Sequence, residues 1–525
     1  MTEKKLSYLD ETKLIKIKLE KISPTMCMAK WLQVSMHLPA GLTQSCYHPP
    51  THTIPLSELA TNVKALHNTS EKFDQRRKML AGERPSGCQY CWNVEDAPGD
   101  GPNISDRHYR SSENWVGDAW DEVVNNSWDY NINPRYVEVN FNQACNFKCA
   151  YCSPHLSTAW EKEHKAFGNF TMPPGVWNHD INNLRSQKLM PLPGKNSDNP
   201  YVKAFWEWWP DLYKTLKVFR MTGGEPLMDK NTFKILDYVD EHPNASIELS
   251  ITSNLCPPDP ALFDLFIEKI QKIEVIRAWT DPEKFNPTNN DYSYVNPAAK
   301  HFTLFISLDS VGPQAEYIRN GLNYETLMNN ARRFLRETDG TVISFINTFN
   351  ILSIPKLKDF LKMIYDLRVE FGYDKQEVKL KGPPGYTPYD YYGKRLRVLF
   401  DIPYLIMPHW LSIQNAADYE SLIQQMDESL QYMIDNKEGT HISNSHGFKE
   451  HEIEKHKRNI IWLKQGADQI TAEELTTRRV SFWMYFNEAD QRRGTNFIET
   501  FPEMTEWWED CRKDYVAYTV ANERK

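Results

Sequence analysis

The sequence has no long apolar run and few cysteines for its length. The chain of 525 residues nowhere has eighteen apolar residues in succession, so no segment reaches the length of a membrane-spanning helix. Residues 1–21 carry many charges and lack the apolar stretch of a secretory signal. Nine cysteines are too sparse for a disulfide scaffold. We therefore expect a cytoplasmic protein whose clustered cysteines bind metal.

An excess of positive charge is also missing. Lysine and arginine together number 61 against 70 aspartates and glutamates, which gives a net charge of −9, and the basic residues are scattered. This balance argues against a nucleic-acid partner, and we expect no membrane partner. The apolar fraction of 40% is sufficient for packed cores, and the length predicts two or three domains.

Seven of the nine cysteines fall into two spaced groups, and the first group follows a predicted strand. Residues 135–141 alternate apolar and polar side chains, which predicts a half-buried strand. The loop after this strand carries Cys145, Cys149 and Cys152. Three thiolates this close can bind three corners of a cubane iron–sulfur cluster and leave its fourth iron open. A zinc knuckle closed by His155, or three ordinary buried thiols, fits the same spacing.

The second group lies within residues 1–126 and consists of Cys27, Cys46, Cys88 and Cys91. The apolar stretch 31–36 and a turn at Gly41 predict a β-hairpin that brings the first two cysteines together. Residues 56–80 have helical spacing and would lead back to the other two. Four such cysteines can hold either zinc or an iron–sulfur cluster, and their spacing leaves both open.

A glycine-rich turn follows the next predicted strand, 216–221. It contains Gly223, Gly224 and Glu225. Two glycines permit close approach of a ligand to the backbone, and their carbonyls can accept hydrogen bonds from an ammonium group. Glu225 adds a negative charge there, although a plain Gly-Gly turn would have the same sequence.

The third predicted strand, 246–252, ends in short polar side chains. Ser253 and Asn254 can bond ribose hydroxyls, although a capped turn would look the same. Cys256 lies just beyond, and we interpret it as a small buried apolar residue rather than a participant in the chemistry.

The fourth predicted strand, 302–310, carries Ser307 and Asp309 on one face. Arg319 follows twelve residues after Ser307. A guanidinium and a hydroxyl can together hold a carboxylate. The alternative for the arginine is a surface ion pair with one of two nearby acidic residues, Glu316 or Glu325.

Predicted helices alternate with these strands, which indicates an α/β protein with a parallel sheet. The helices are expected at 156–164, 231–242, 262–275, 324–336 and 356–371, and two further strands at 342–351 and 402–407. The active site then belongs at the carboxyl ends of the strands. A polar linker, 127–134, precedes the first strand. Helices are expected again at 416–436 and 450–465, and Cys511 is expected to be buried.

These motifs together resemble the radical SAM superfamily. The resemblance rests on CxxxCxxC with Tyr151 before its third cysteine, then GGEP, TSN and SLDS with its arginine, each at a strand end. It implies a partial (β/α)6 barrel at residues 127–412 and a [4Fe–4S] cluster on the first cysteine group. It further implies an enzyme that reductively cleaves S-adenosylmethionine to a 5′-deoxyadenosyl radical and abstracts hydrogen from an unidentified substrate.

The resemblance also implies cofactor contacts and an electron donor. The GGEP turn would hold the amino group of the S-adenosylmethionine methionine, and Ser307 with Arg319 would hold its carboxylate. The tyrosine, Ser253, Asn254 and Asp309 complete the expected cofactor-binding set. Reductive cleavage implies an external donor such as flavodoxin or ferredoxin.

The N-terminal unit, residues 1–126, resembles the twitch and SPASM modules of that superfamily. The stretch RKMLAGERPSGCQYCWNVED is similar to the N-terminal segment of bacterial and phage twitch-containing radical SAM proteins, and DQRRGTNFIETFPEM is similar to their closing segment. This implies a second, auxiliary [4Fe–4S] cluster on the second cysteine group and a helical extension at 413–525. The module precedes the barrel here, whereas the familiar enzymes carry it afterwards.

Two other classes remain as alternatives. One is a catalytically degenerate homologue that retains its metal sites and serves in binding or regulation, and the presence of all three catalytic cysteines argues against it. The other is a zinc-stabilised module that binds nucleic acid, which the acidic balance opposes. The substrate class stays open between peptides and small molecules such as sugars or nucleotides.

Overall fold

The computed structural model describes residues 8–98, 103–177, 180–194, 196–273, 299–338, 341–371, 396–439 and 446–523. The chain divides into two compact units. Unit 1 comprises Met1–Gln143, Arg185–Gly223 and Ser246–Ser250, and unit 2 comprises Ala144–Leu184, Gly224–Ala245 and Ile251–Lys525. The domain boundaries expected after residues 126 and 412 stay predictions.

The strands confirm an α/β protein whose sheet is largely parallel. In chain order they are β1 (Gln33–His37), β2 (Leu42–Gln44), β3 (His52–Thr53), β4 (Tyr136–Asn140), β5 (Lys148–Cys149), β6 (Val218–Thr222), β7 (Asn244–Ser253), β8 (Ala299–Ser307), β9 (Arg319–Asn320), β10 (Val342–Ile346) and β11 (Val398–Asp401). Strand β7 contributes residues to both units. Closure into a partial barrel stays a prediction.

The strands of unit 1 begin with the predicted hairpin. Strands β1 and β2 pair antiparallel, and β2 pairs antiparallel with β3. Gly41 in the first turn has φ +66, and a Cβ there would lie 2.1 Å from the Tyr201 ring, so the turn requires glycine. Strand β1 then pairs in parallel with β4, and β4 with β6.

Strand β4 confirms the strand predicted at 135–141 but corrects its burial. Four of its five residues are buried and only Glu138 is partly exposed, because β4 lies between two other strands. Its apolar face meets the apolar residues of both neighbours: Val137 pairs with Val34 and Phe219. The other face of β4 carries polar side chains and is largely buried as well. The period-two alternation therefore separates an apolar face from a polar face, not a buried face from an exposed one.

Most helices of unit 1 are short. The α-helices lie at Tyr8–Glu20, Ala29–Leu32, Leu56–Leu59, Ser70–Leu80, Gln89–Glu95, Asp106–Ser111, Asn114–Gly117, Trp120–Asn125 and Pro200–Tyr213, with 3-10 turns at Val63–Leu66, Ser86–Cys88 and Asn196–Asp198. The continuous helical segment expected at 56–80 is wrong, because Asn62 and Thr69 cap new helical segments within it. The sequence reasoning also missed Pro200–Tyr213, whose Trp208 and Trp209 are buried.

In unit 2, strand β10 pairs in parallel with both β8 and β11. The α-helices lie at Thr158–Phe167, Lys230–Glu241, Pro260–Ile273, Gly312–Ile318, Tyr324–Glu337, Leu357–Phe371, Glu420–Asp435, Glu450–Lys464, Gly466–Gln469, Ala472–Arg493, Phe497–Thr500 and Thr505–Glu523, with 3-10 turns at Pro226–Met228, Ile351–Ser353, His409–Leu411, Ile413–Ala416 and Pro502–Met504. The helix Ile181–Ser186 has residues in both units. The predicted alternation of strands and helices is therefore confirmed.

Two strand predictions in unit 2 need correction. Strand β10 ends at Ile346 rather than at residue 351, because Asn350 caps the 3-10 turn that follows. The strand expected at 402–407 lies earlier, at β11, because Pro403 has no N–H to donate to a ladder. Of the expected strand, Tyr404 forms an isolated parallel bridge with Phe349. Residues 274–275 of the helix expected at 262–275 lie outside the described residues. In the described part, no helix combines the length and the apolar character needed to cross a membrane.

Candidate active site

The first cysteine group lies in a loop of unit 2 that is fixed by hydrogen bonds. Cys149 lies in β5, which pairs antiparallel with β9. The Thr158 hydroxyl donates to the Cys145 carbonyl at 3.0 Å, and the Trp160 indole N–H donates to the Cys149 carbonyl at 3.0 Å. The helix Thr158–Phe167 therefore anchors the loop from its first turn.

Hydrogen-bond donors approach two of the three sulfurs in this loop. The Phe147 N–H donates to Cys145 Sγ at 3.5 Å, and an Arg319 Nη donates to Cys149 Sγ at 3.5 Å. Burial, together with the nearby Cys149, nevertheless raises the pKa of Cys145 to about 12. Thiols in this loop therefore stay protonated until a metal displaces the proton. Hydrogen bonds donated to sulfur stabilise metal-bound thiolates and help to set the reduction potential of a cluster.

Arg319 is buried beside these cysteines and pairs with Asp309. The arginine is 6% exposed and the aspartate 0% exposed. Nε of Arg319 lies 2.8 Å from Oδ2 of Asp309, and an Nη donates to Oδ1 at 3.1 Å. Burial alone would lower the pKa of Arg319, but the Asp309 carboxylate together with Tyr151 and Cys149 outweighs burial, and the net shift of this pKa is upward. A surface ion pair with Glu316 or Glu325 is therefore the wrong alternative.

Tyr151 completes this buried set. Its hydroxyl donates to Oδ2 of Asp309 at 2.8 Å and accepts a hydrogen bond from Arg319. The Thr348 N–H donates to Oδ1 of Asp309 at 2.9 Å, a contact that sequence reasoning missed because it joins two distant strand ends. Asp309 thus holds the guanidinium and the tyrosine in one place. Ser307 is the last residue of β8 and is partly buried.

The two motifs at the ends of β6 and β7 bind each other. Glu225 is 1% exposed, and its Oε1 accepts from the Ser253 hydroxyl at 2.7 Å and from the Leu227 N–H at 3.0 Å. Its Oε2 accepts from the Asn254 N–H at 2.6 Å. Burial raises the pKa of Glu225 to about 7 against these donors. Part of the hydrogen-bonding capacity of these residues is therefore used within the protein. Their expected roles toward S-adenosylmethionine stay predictions.

Gly223 has a structural requirement of its own within unit 1. Its φ is +114, and a Cβ there would lie 2.2 Å from Oδ1 of Asn140. The turn therefore requires glycine both for its backbone conformation and for the close approach of Asn140. Gly224 follows it and leads into Glu225. The sequence reasoning did not single out Asn140, which ends β4.

Asn146, between the first two cysteines of the loop, was also missed. Its Nδ2 donates to the Cys256 carbonyl at 2.8 Å, and its Oδ1 accepts from Nδ2 of Asn254 at 2.9 Å. Nδ2 of Asn254 also lies 4.0 Å from Cys145 Sγ. Asn146 therefore connects the cysteine loop to the loop after β7 by hydrogen bonds. The predicted positions of Cys256 and Cys511 in buried surroundings are confirmed.

The four cysteines of the second group line one pocket in unit 1. Polar and charged side chains share its wall: Lys30, His48, Asp106, Arg107 and Arg110. Burial raises the pKa of Cys27, and Cys46, Cys91 and Cys88 raise it further, in that order. None of the four forms a disulfide. Four free cysteines around one pocket, whose thiolates would repel one another without a cation, fit a thiolate-bound metal centre.

In the ranges that the structure describes, no three His, Cys, Asp or Glu side chains are arranged to hold a metal ion. Each thiolate of a cubane binds a different iron, so its cysteines need not converge on one point. Metal binding at both cysteine groups therefore stays a prediction.

The polar face of strands β1 and β4 in unit 1 contains buried side-chain nitrogen and oxygen atoms that lack a hydrogen-bond partner within the described residues. Gln33, Ser35 and Asn140 are each at most 4% exposed. Within the described residues, both polar atoms of the Gln33 amide, the Ser35 hydroxyl and Oδ1 of Asn140 have no hydrogen-bond partner. Glu138 and Arg220 pair in register on the same face. This face can therefore offer hydrogen bonds to water or to a polar ligand.

Comparison with known proteins yields one weak similarity. A segment of 119 residues, 23% of this chain, is 26% identical to GTP 3′,8-cyclase of Campylobacter lari and covers 27% of that protein. That protein is a radical SAM enzyme, and the similarity suggests the radical SAM superfamily for this chain. No protein-family profile matches the chain, and no solved structure matches it.

Proposed function

We propose that this protein is a radical SAM enzyme with one catalytic and one auxiliary [4Fe–4S] cluster. Cys145, Cys149 and Cys152 would hold the catalytic cluster. When bound, that cluster supplies the electron that cleaves S-adenosylmethionine to a 5′-deoxyadenosyl radical, which abstracts hydrogen from the substrate. The chain's own residues bind and orient the cofactor and exclude water.

The observation that carries the proposal is the position of Arg319. One of its Nη atoms reaches Cys149 Sγ, while Asp309 and Tyr151 hold the rest of the guanidinium. A buried guanidinium held this firmly is suited to a carboxylate, because little rotamer freedom is lost on binding. Together with Ser307 at the end of β8, it would receive the carboxylate of the methionine moiety.

The four cysteines of unit 1 would hold the auxiliary cluster. All four protein ligands are present, so this cluster would be closed and suited to accepting or relaying an electron rather than to binding substrate. The electron for the catalytic cluster would come from an external donor such as flavodoxin or ferredoxin. The substrate class stays open between a peptide and a small molecule.

Metal content and cofactor cleavage test this function together. Protein purified without oxygen should be brown and contain about eight irons, the sum of two cubanes. The triple variant Cys145→Ala, Cys149→Ala, Cys152→Ala should retain about four irons and lose all formation of 5′-deoxyadenosine from S-adenosylmethionine and dithionite. The matched control is the double variant Cys88→Ala, Cys91→Ala in unit 1. It should still cleave S-adenosylmethionine to 5′-deoxyadenosine. Zinc in place of iron in the intact protein would contradict the proposal.

A further inference from the structure

Three cationic side chains are buried in unit 1, and one of them lines the four-cysteine pocket. Lys30 is 2% exposed, and Lys72 and Arg76 are 0% exposed. Lys30 lines the pocket itself, and its carbonyl accepts a hydrogen bond from Nε of Arg76 at 3.3 Å. Nζ of Lys72 donates to the Thr43 hydroxyl at 3.1 Å, on the strand that leads to Cys46.

These cations have neutral hydrogen-bond partners. Lys30 donates to the Gln75 amide oxygen at 2.6 Å, and Arg76 donates to the Asn68 amide oxygen at 3.0 Å. Within the described ranges, no salt bridge involves Lys30, Lys72 or Arg76. A buried charge without a counter-charge is strongly destabilising, so a cluster of three requires an anion or the loss of protons.

Other buried arginines of the same chain do have carboxylate partners. Arg107, also on the pocket wall, lies 2.6 Å from Glu95, and Arg368 lies 2.6 Å from Glu452. Lys30, Lys72 and Arg76 differ from these two arginines, because within the described residues no carboxylate lies within salt-bridge distance of them. On the pocket wall beside Lys30, the groups that can carry negative charge are the four thiols and Asp106.

We propose that Lys30, Lys72 and Arg76 are the counter-charge of an anionic metal–thiolate centre in the unit 1 pocket. Tetrathiolate zinc and a tetrathiolate cubane both have a net negative charge, because four thiolate charges exceed the charge of the ion or cluster core. The inference rests on the proposed function, since it requires that the four cysteines hold a metal centre. The two lysines and the arginine act as positioning residues that stabilise its charge and do not themselves bind metal.

The counter-charge has two measurable consequences. Removing one cation should weaken metal binding, because the thiolates lose a stabilising charge in a medium of low dielectric constant. It should also lower the reduction potential of a cluster, because the added electron makes the centre more negative. A lysine that only fills space would affect neither quantity.

The test uses the full chain in the Cys145→Ala, Cys149→Ala, Cys152→Ala background, where the unit 1 site is the one under study. Lys72→Met removes the charge with little change of shape. Lys78→Met is the matched control, since its side chain on the same helix is 40% exposed. Lys72→Arg retains the charge, and Lys30→Met is a second removal in case the first variant does not fold.

The readouts are Co²⁺ affinity, from cobalt–thiolate absorption in competition with a chelator, and the midpoint potential of the reconstituted cluster. Lys72→Met or Lys30→Met should weaken Co²⁺ binding by about tenfold or more and move the potential to more negative values. Lys72→Arg and Lys78→Met should stay close to the parent protein. If Lys72→Met and Lys30→Met match Lys78→Met in both readouts, the proposed counter-charge role is wrong, whereas the proposed metal centre is unaffected. A parent protein that binds neither iron nor Co²⁺ at this site would overturn the metal centre itself.

Discussion

Replacing Asp309 by Asn tests the buried pair on which the candidate site depends. The substitution preserves shape and removes the charge that faces Arg319, which lies 2.8 Å away and is 6% exposed. Breaking a buried ion pair by removing one partner costs about 3–5 kcal/mol, whereas an exposed pair contributes about 0–1 kcal/mol. The new amide would also direct N–H groups or a weaker acceptor at the guanidinium and the Tyr151 hydroxyl.

The loss should be measured locally, because a chain with two units and bound clusters has no single unfolding transition. Hydrogen exchange followed by mass spectrometry reports on the Thr348 amide, which donates to Asp309. A loss of about 3 kcal/mol corresponds to roughly a hundredfold faster exchange in peptides that contain this amide. S-adenosylmethionine binding should weaken in parallel, because the guanidinium is no longer held.

The control for this experiment is Glu325→Gln, which removes an exposed carboxylate that is an expected alternative partner of the arginine. It should change protection by no more than about 0.5 kcal/mol. If Asp309→Asn leaves exchange and cofactor affinity equal to those of the control, the Asp309–Arg319 pair does not organise the site and the reasoning fails.

Three further predictions address the cofactor contacts and the turn. Arg319→Met should weaken S-adenosylmethionine binding by about 1.5–3 kcal/mol in calorimetry while both clusters remain; unchanged affinity would show that the arginine is purely structural. The pKa of Glu225 is raised from 4.5 to about 7, so its stabilising contribution is complete below pH 4.5 and is lost as the pH rises through about 7. Glu225→Gln should therefore flatten the fall in melting temperature across that interval, and an unchanged slope would contradict this origin. Gly223→Ala should lower the melting temperature by its clash with Asn140 and its positive φ, and Asn140→Ala should restore part of the loss; no restoration would place the whole cost in the backbone.

The sequence by itself determined the local elements and the chemistry of the cysteines. Period-two alternation before Cys145 and helical spacing after each strand located most elements, because these patterns reflect which faces are apolar. The hairpin at Gly41 was also predictable, since a turn residue separates two strand-forming stretches. Errors arose where one local signal ended an element, as Pro403 does for β11.

Only the tertiary structure decided which polar groups meet. It paired Arg319 with Asp309, bound Glu225 to Ser253, and buried Lys72 against Thr43. These outcomes depend on which strand ends and helices become neighbours, and residues far apart in the chain carry no local pattern that reveals their partners. Burial then sets the energy of each contact, because the same ion pair is weak in water and strong in the interior. The sequence shows which residue types are present, whereas packing determines their partners and their charge states.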